Sequence, residues 1–157
     1  MSARRYPGAY RRRVLRALRA GNSVANRIGA RSTLADNRHQ MPMTVLIVDD
    51  HASFRTVARK LLEHLGYRVV GEARDGESAL EAARELQPDV VLLDVQMPGI
   101  DGFEVAARLT AGDDGPAVVL VSTRDGLDFG GLVVESGARG FIAKDDLSGP
   151  TLAELLG

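Results

Sequence analysis

The chain has 157 residues, of which 45% are apolar and 26% are charged, a composition that suits a single globular domain. It contains no cysteine, which excludes disulfide-built scaffolds, thiolate zinc sites and cysteine nucleophiles. No apolar run is long enough to span a bilayer and no signal-peptide core is present, so we expect a cytoplasmic protein without a membrane partner.

The formal net charge of −1 conceals two segments of opposite charge. Residues 1–42 contain ten arginines and one carboxylate, for a net charge of +9, whereas residues 43–157 carry −10. The basic segment suits an amphipathic helix over residues 8–20 that binds nucleic-acid phosphates or an anionic surface, and it also resembles a transit peptide. Because Met41 and Met43 directly precede the first strand, and the arginine excess is typical of GC-rich coding, we expect a disordered N-terminal extension or a mis-called start. The globular domain is then 43–157.

The acidic segment begins with a predicted strand, TVLIV at 44–48, whose continuous β-branched run is typical of a strand buried on both faces. The strand ends in Asp49 and Asp50. A helix that ends near Gly66 follows, and its predicted inward stripe consists of Phe54, Val57, Ala58, Leu61, Leu62 and Leu65. Residues 67–73 form a second predicted strand. The second helix covers 77–86 and stops before Pro88, with an inward stripe of Ala79, Leu80, Ala83 and Leu86.

The third predicted strand, DVVLL at 89–93, ends at Asp94, and a helix at 102–109 follows a Met-Pro-Gly turn. The fourth strand, AVVLV at 117–121, ends at Ser122 and Thr123. A helix within 127–136 should be short or mobile, because each of its two glycines costs roughly 1 kcal/mol relative to alanine. The fifth strand, 140–143, ends at Lys144, and a last helix at 151–156 begins after Ser148 and Pro150.

Alternating strands and helices predict an α/β fold with a five-stranded parallel sheet that helices cover on both faces. In such doubly wound sheets, ligands bind beyond the carboxyl ends of the strands. The side chains that follow the predicted strands therefore meet at one edge of the sheet, and they are Asp49, Asp50, Asp94, Ser122 and Lys144.

This set of side chains predicts phosphoryl chemistry. Three carboxylates within a few ångströms repel one another unless a cation joins them, and a set of oxygen ligands suits Mg²⁺. Lys144 can pair with a carboxylate at rest and with a phosphoryl oxygen afterwards, while Ser122 can donate a hydrogen bond to the same group. Because a carboxylate can itself be the nucleophile that forms an acyl phosphate, we expect Asp94 to take this role.

Over nearly all of residues 44–156 the sequence resembles the receiver domain of bacterial two-component response regulators. The matching segments are VLIVDD at 45–50, VVLLDVQMPGIDG at 90–102, VVLVST at 118–123 and GARGFIAKDDL at 137–147. The resemblance implies the flavodoxin-like (βα)5 receiver fold. It also implies phosphorylation of Asp94, and metal binding by Asp50, Asp94 and the backbone carbonyl of Gln96, with Asp49 supporting the ion through water.

The resemblance further implies that Lys144 and Ser122 contact the phosphoryl group and that Phe141 is the switch aromatic. Strand alternation lets only one of Ser122 and Thr123 point inward, and the spacing of Ser122 to Lys144 matches the family. Gln96 and Arg124 occupy the positions that tune hydrolysis of the acyl phosphate. Asp145 stands where the family often has proline, so a cis peptide there is not expected.

These features predict a response regulator without an output domain, which accepts a phosphoryl group from a sensor histidine kinase or a histidine phosphotransfer protein and acts on a protein target. It is expected to be a phosphoacceptor rather than an enzyme with turnover. Gln96 stands where a Mg²⁺-dependent phosphohydrolase has a second aspartate, which disfavours that class. A phosphorylation-independent interaction module remains an alternative, as does a regulator bound to nucleic acid through residues 1–42.

One more alternative is a truncated DNA-binding regulator. His51 after the acidic pair, together with KDDL, resembles the receivers that are joined to helix-turn-helix domains, yet the chain stops at Gly157. We therefore expect a stand-alone receiver or a truncated gene product. The three histidines, His39, His51 and His64, lack metal-ligand spacing and are predicted to be surface or capping residues.

Overall fold

Five parallel strands form one sheet at the centre of the domain. The structure is a computed structural model that describes residues 41–123 and 129–157. The strands are β1 (Thr44–Val48), β2 (Arg68–Ala73), β3 (Val90–Asp94), β4 (Ala117–Ser122) and β5 (Gly140–Ala143). They lie in the order β2-β1-β3-β4-β5, and all neighbouring pairs are parallel. The order reverses between β1 and β3, which is where doubly wound sheets bind ligands.

Helices cover both faces of this sheet. They are α1 (Ala52–His64), α2 (Gly76–Leu86), α3 (Gly102–Thr110), α4 (Gly130–Glu135) and α5 (Gly149–Leu156). Residues of α2, α3 and α4 pack against the face that carries Leu93 and Leu120, whereas α1 and α5 pack against the face that carries Ile47 and Leu92. Each such fully buried aliphatic side chain contributes roughly 1.5–3 kcal/mol to folding. The predicted parallel sheet with helices on both faces is confirmed.

The register between β1 and β3 is fixed at the amino ends of both strands. The Thr44 N–H donates to Asp89 Oδ2 at 2.9 Å, and the Asp89 N–H donates to the Thr44 hydroxyl at 2.9 Å. Since these strands run parallel from this reciprocal pair, their carboxyl ends finish level with one another. Asp49 and Asp94 are therefore set side by side by a contact at the opposite edge of the sheet.

Two helices begin at reciprocal caps between side chains and backbone. Asp75 accepts a hydrogen bond from the Ser78 N–H at 2.8 Å at the start of α2, and Ser148 accepts one from the Thr151 N–H at the start of α5. Capping of this kind contributes roughly 1 kcal/mol per helix. At the other end of α1, Gly66 has φ +92°, as expected for the glycine that follows a helix.

The inward stripes predicted for the first two helices are wrong at three leucine or valine positions. Val57 is 65% exposed, Leu86 42% and Leu65 38%. Val57 lies on the flank of α1, because the buried stripe runs through Ala58 and Leu62. Leu86 and Leu65 are the last apolar residues at helix ends, where one side of each remains open. A Cβ added at Gly149 would lie 2.9 Å from Leu65, so that leucine still contacts the start of α5.

The fourth helix has six residues, so it is short, as predicted. Residues 124–128, which contain the start of its predicted range, lie outside the described part of the chain. The peptide bond between Lys144 and Asp145 is trans, as expected. No helix among residues 41–123 and 129–157 combines the length and apolarity that a bilayer crossing requires.

Gly102 is the residue whose substitution tests this packing. It begins α3 directly against the end of β3, where an added Cβ would collide with the Asp94 carbonyl oxygen and lie 2.7 Å from Val95 Cα. Backbone atoms cannot yield as a flexible side chain does. Gly102→Ala should therefore lower the free energy of unfolding by about 1–3 kcal/mol in urea titration. Gly112→Ala, with no atom within 4 Å of its Cβ, is the control and should change it by less than about 1 kcal/mol. Equal effects of the two substitutions would contradict the close packing.

Candidate functional site

The polar side chains predicted to share one edge of the sheet lie at the carboxyl ends of four strands. Asp49 and Asp50 follow β1, Asp94 ends β3, Ser122 ends β4 and Lys144 follows β5. Asp94 lies between its neighbours because β3 is the middle strand of the sheet. The parallel topology alone therefore gathers these residues at one rim.

Lys144 joins two buried carboxylates at this rim. Its Nζ lies 2.6 Å from Asp49 Oδ2 and 3.5 Å from Asp94 Oδ2, and both carboxylates are almost fully buried. The ammonium group also lies 4.5 Å from the centre of the Phe54 ring, a cation–π distance. Among the described residues, however, Asp49 Oδ2 has no hydrogen-bond donor of good geometry. Asp49 Oδ2 and Lys144 therefore form an ion pair. A second cation can bind the same carboxylate.

Backbone donors hold the other carboxylate oxygens. The His51 N–H donates to Asp49 Oδ1 at 2.7 Å, and the Gln96 N–H donates to Asp94 Oδ1 at 3.2 Å. Arg55 donates to the Asp49 carbonyl oxygen at 2.6 Å. Both aspartates are thus oriented by the turns that follow their strands, before any ligand binds.

The electrostatic balance of the rim leaves Asp94 short of positive charge. Burial and, to a smaller extent, the charge of Asp49 raise the pKa of Asp94 to about 6, against the opposing effects of the Gln96 N–H and Lys144. A single ammonium group therefore does not compensate the carboxylates. Desolvated, mutually repelling carboxylates of this kind are stabilised by a divalent cation.

The ligand atoms needed for such a cation are close together. Within the described residues, atoms of Asp49, Asp50, His51 and Asp94 all lie within 4.8 Å of one another. Carboxylate oxygens are the ligands that Mg²⁺ prefers, and it usually keeps several waters besides one or two of them. The donor set fits a divalent ion. Asp50, with its side chain about 30% exposed, would provide the solvent-facing ligand.

His51 is the residue whose place in the site the sequence interpretation missed. It occupies the predicted capping position, at the start of α1, and its side chain is 67% exposed. Its Nδ1, however, lies 3.0 Å from Asp50 Oδ1 and 3.3 Å from Asp49 Oδ1. Its position directly after the acidic pair was the available signal. Asp50, by contrast, does not cap α1, whose N-cap residue is His51.

The structure places the remaining predicted site residues as follows. Ser122 is fully buried and pairs with Ala143 of β5, whereas Thr123 is exposed. Gln96 is exposed and holds Asp94 through its backbone N–H. Arg124 lies outside the described residues. The functional roles of these residues stay predictions.

Phe141, the predicted switch aromatic, belongs to a row of three rings. Its ring centre lies 5.8 Å from that of Phe129, which lies 5.5 Å from that of Phe103. Tilted rings at such distances attract one another. A neighbouring cleft of about 620 Å³ runs from the acidic rim to α4, and it is lined by Asp50, Val95, Gln96, Met97, Pro98, Asp101, Phe103 and Leu132. The rim and the aromatic row are therefore adjacent parts of one surface.

Comparison with known proteins identifies the architecture. The family model of the response regulator receiver domain matches residues 45–153. The chain belongs to this family. The recognised resemblance and the flavodoxin-like receiver fold are thus both confirmed, and the protein is a receiver domain of the two-component response regulators.

Curated proteins and a solved structure with similar sequences are consistent with this family. A putative transcriptional regulator of Pseudomonas aeruginosa is 40% identical over 112 residues, which cover 71% of this chain and 52% of the relative. Response regulator GacA of Pseudomonas viridiflava is 42% identical over 113 residues, covering 71% and 51%. The chain spans about half the length of these curated relatives. The signal receiver domain of the putative response regulator NarL from Mycobacterium tuberculosis superposes with a TM-score of 0.65 at 37% identity, covering 74% of this chain and 98% of that one.

The electrostatics of Asp94 predict an effect of Asp94→Asn on stability in the absence of divalent ions. A raised pKa means that the folded state holds this proton more tightly than the unfolded state, so the wild type loses stability as pH rises from about 4 to about 6. Asparagine does not ionise, so the variant does not lose stability in this way. In EDTA above pH 7, Asp94→Asn should therefore be more stable than the wild type by about 2–3 kcal/mol, and below about pH 4 the two should be equal.

Chemical denaturation across this pH range measures the difference. Asp113→Asn, which changes an exposed aspartate, serves as the control and should leave stability within about 0.5 kcal/mol of the wild type. A loss of stability in Asp94→Asn at neutral pH would contradict the charge balance described above.

Proposed function

We propose that this receiver domain, residues 43–157, is a phosphorylation-controlled switch in which Asp94 accepts a phosphoryl group from a phosphohistidine. The donor is a cytoplasmic sensor histidine kinase or a histidine phosphotransfer protein. The main support is the contact of Lys144 with both Asp49 and Asp94, which provides a nucleophile, a charge-compensating cation and a carboxylate set in one buried rim.

The transfer requires one bond to form and one to break. A carboxylate oxygen of Asp94 attacks the phosphorus atom, the bond between phosphorus and the donor imidazole nitrogen breaks, and its electron pair remains on that nitrogen. The product is an acyl phosphate. The turn after β3 holds Asp94 Oδ1 on the Gln96 N–H, which leaves Oδ2, the oxygen next to Lys144, as the attacking atom. No other residue forms a covalent bond in this transfer. The surrounding residues contribute by holding the reacting groups in line and by placing positive charge near the phosphoryl oxygens.

A divalent ion completes the charge balance. Asp50, Asp94 and the backbone carbonyl of Gln96 would hold Mg²⁺, with Asp49 supporting it through water. When bound, Mg²⁺ neutralises negative charge on the carboxylates and on the phosphoryl oxygens. The fit of the donor set and the raised pKa of Asp94 support this assignment.

Lys144 and Ser122 respond to the new group. Lys144 contacts Asp49 more closely than Asp94 in this state, and phosphorylation replaces the single charge of the Asp94 carboxylate with a phosphoryl group of charge about −1.5 to −2. The ammonium group then shifts toward the phosphoryl oxygens, and the Ser122 hydroxyl donates to them. Gln96 and Arg124 set the rate of hydrolysis.

The response reaches a protein-binding surface around α4 and β5. Phe141 turns inward in the proposed active state, and the change shifts an existing equilibrium between two conformations. Leu132 and Val134 of α4 are 48% and 77% exposed, so the surface offers apolar contacts to a protein target. We place the chain among phosphoacceptors rather than enzymes with turnover.

A second candidate is a receiver that controls DNA binding. The relatives include a putative transcriptional regulator, of which the matched segment covers 52%, and a neighbour in structure is a response regulator of the LuxR family from Aurantimonas, 31% identical with a TM-score of 0.66. In that case the same phosphorylated rim controls an output region rather than a separate protein. Phosphorylation of Asp94 is common to both candidates.

Phosphotransfer to Asp94 is directly measurable. Incubation with Mg²⁺ and phosphoramidate, a small donor with a phosphorus–nitrogen bond, should add the mass of one phosphoryl group in intact-mass spectrometry. Asp94→Asn should remove the label because the nucleophilic oxygen is lost. Asp145→Asn, a neighbouring carboxylate outside the site, is the matched control and should retain it. Full labelling of Asp94→Asn would refute the assignment.

The conformational change can be tested separately from the transfer of the phosphoryl group. Ser122→Ala should still accept the phosphoryl group, because the nucleophile and Lys144 remain. Without the hydroxyl, however, the amide chemical shifts of α4 and β5 should change much less on phosphorylation than in the wild type, as measured by NMR. Ser136→Ala, a buried serine at the end of α4 remote from Asp94 in sequence, is the control. Equal shift changes in Ser122→Ala and the wild type would rule out the proposed role of Ser122.

A further inference from the structure

We propose that His51 is a nitrogen ligand of this metal site and that it makes the site selective for later first-row transition ions such as Ni²⁺ over Mg²⁺. The inference rests on the metal site of the proposed function and adds a ligand and a metal preference to it. Neither follows from the carboxylates alone, which favour Mg²⁺.

The distances suit a shared ion. His51 Nδ1 lies 3.0 Å from Asp50 Oδ1 and 3.3 Å from Asp49 Oδ1. Two ligand atoms at right angles around one ion, each about 2.1 Å from it, are about 3.0 Å apart. The imidazole nitrogen and the Asp50 oxygen are therefore separated by one edge of a coordination octahedron. In the metal-free protein the same contact is a hydrogen bond or an ion pair.

The backbone holds His51 in this position. Its N–H donates to Asp49 Oδ1 at 2.7 Å, and its backbone is extended at the start of α1, with φ −95° and ψ 110°. The side chain makes no capping hydrogen bond to the helix, so the ring is not committed to that role. Because the side chain is 67% exposed, an ion from solvent reaches the nitrogen without opening the core.

The buried part of the site also has capacity for a cation. Asp49 Oδ2 is buried and accepts no hydrogen bond of good geometry, and the Lys144 ammonium stands between it and Asp94 as the positive charge of the metal-free state. Adding imidazole to this oxygen set changes which ion binds best. Imidazole suits Ni²⁺ and the later first-row ions, whose affinities are higher than that of Mn²⁺, whereas Mg²⁺ and Mn²⁺ favour oxygen ligands.

Isothermal titration of the untagged full chain with NiCl₂ and with MgCl₂ tests the preference at about pH 8, where free imidazole is neutral. His51→Asn should weaken Ni²⁺ binding at the rim by about tenfold or more, since even residues that only support a ligand change metal affinity by 10–100-fold. Mg²⁺ affinity should change by less than about threefold. Asparagine is a favourable residue at a helix start, so the fold is retained.

The matched control is His64→Asn, which removes the exposed histidine at the other end of the same helix. It should leave both affinities unchanged. Nitrogen ligation itself is visible in Mn²⁺ electron–nuclear double resonance, where a ¹⁴N coupling should be present in the wild type and in His64→Asn and absent in His51→Asn.

Failure of this inference is distinguishable from failure of the proposed function. Unchanged Ni²⁺ binding in His51→Asn, equal losses for Ni²⁺ and Mg²⁺, or a ¹⁴N coupling that persists in that variant would overturn the role of His51. Phosphorylation of Asp94 with Mg²⁺ would still support the receiver function. If neither ion binds the wild type and Asp94 takes no phosphoryl group, both proposals are wrong.

Discussion

The site depends on one electrostatic constraint, which is that two buried carboxylates, those of Asp49 and Asp94, share a single ammonium group. Lys144 contacts Asp49 at 2.6 Å and Asp94 at 3.5 Å, so its charge is divided unequally. Burial and the charge of Asp49 raise the pKa of Asp94 to about 6, because Lys144 opposes them only in part. A protein that needed only a stable core would place apolar residues here, because burying unbalanced charge is costly. The imbalance favours a divalent cation, whose charge would offset that of the carboxylates and, in the proposed function, that of the phosphoryl group.

Secondary structure and the location of the rim were predictable because both follow from local pattern. The runs TVLIV, DVVLL and AVVLV have the composition of strands buried on both faces, and an alternating fold brings their carboxyl ends together. Side-chain exposure at helix ends was less predictable, because it depends on which neighbour covers the last turn. Leu86 and Leu65 lie within the apolar stripe, yet each remains about 40% exposed. Periodicity gives the direction of a side chain and not the extent of the surface that it meets.

His51 shows a different limit of sequence interpretation. Metal-ligand spacing is sought between residues of one helix or of separate strands, and a histidine adjacent to an aspartate pair has neither pattern. Its ring reaches the rim because the Asp49 side chain folds back to accept the His51 N–H, which fixes the turn between β1 and α1. This turn is a property of backbone conformation and burial. Residue identity alone does not specify it.

A series of packed residues that begins at Gly102 connects the rim to the α4–β5 surface. Without a Cβ, Gly102 lets α3 start against the Asp94 carbonyl oxygen, so the next residue, Phe103, is fixed relative to Asp94. Phe103 packs on Phe129, and Phe129 packs on Phe141. Because interiors are close-packed, an inward turn of Phe141 would change its contact with the Phe129 ring. Phe129 directly precedes α4, so the proposed movement of Phe141 would act on the start of that helix.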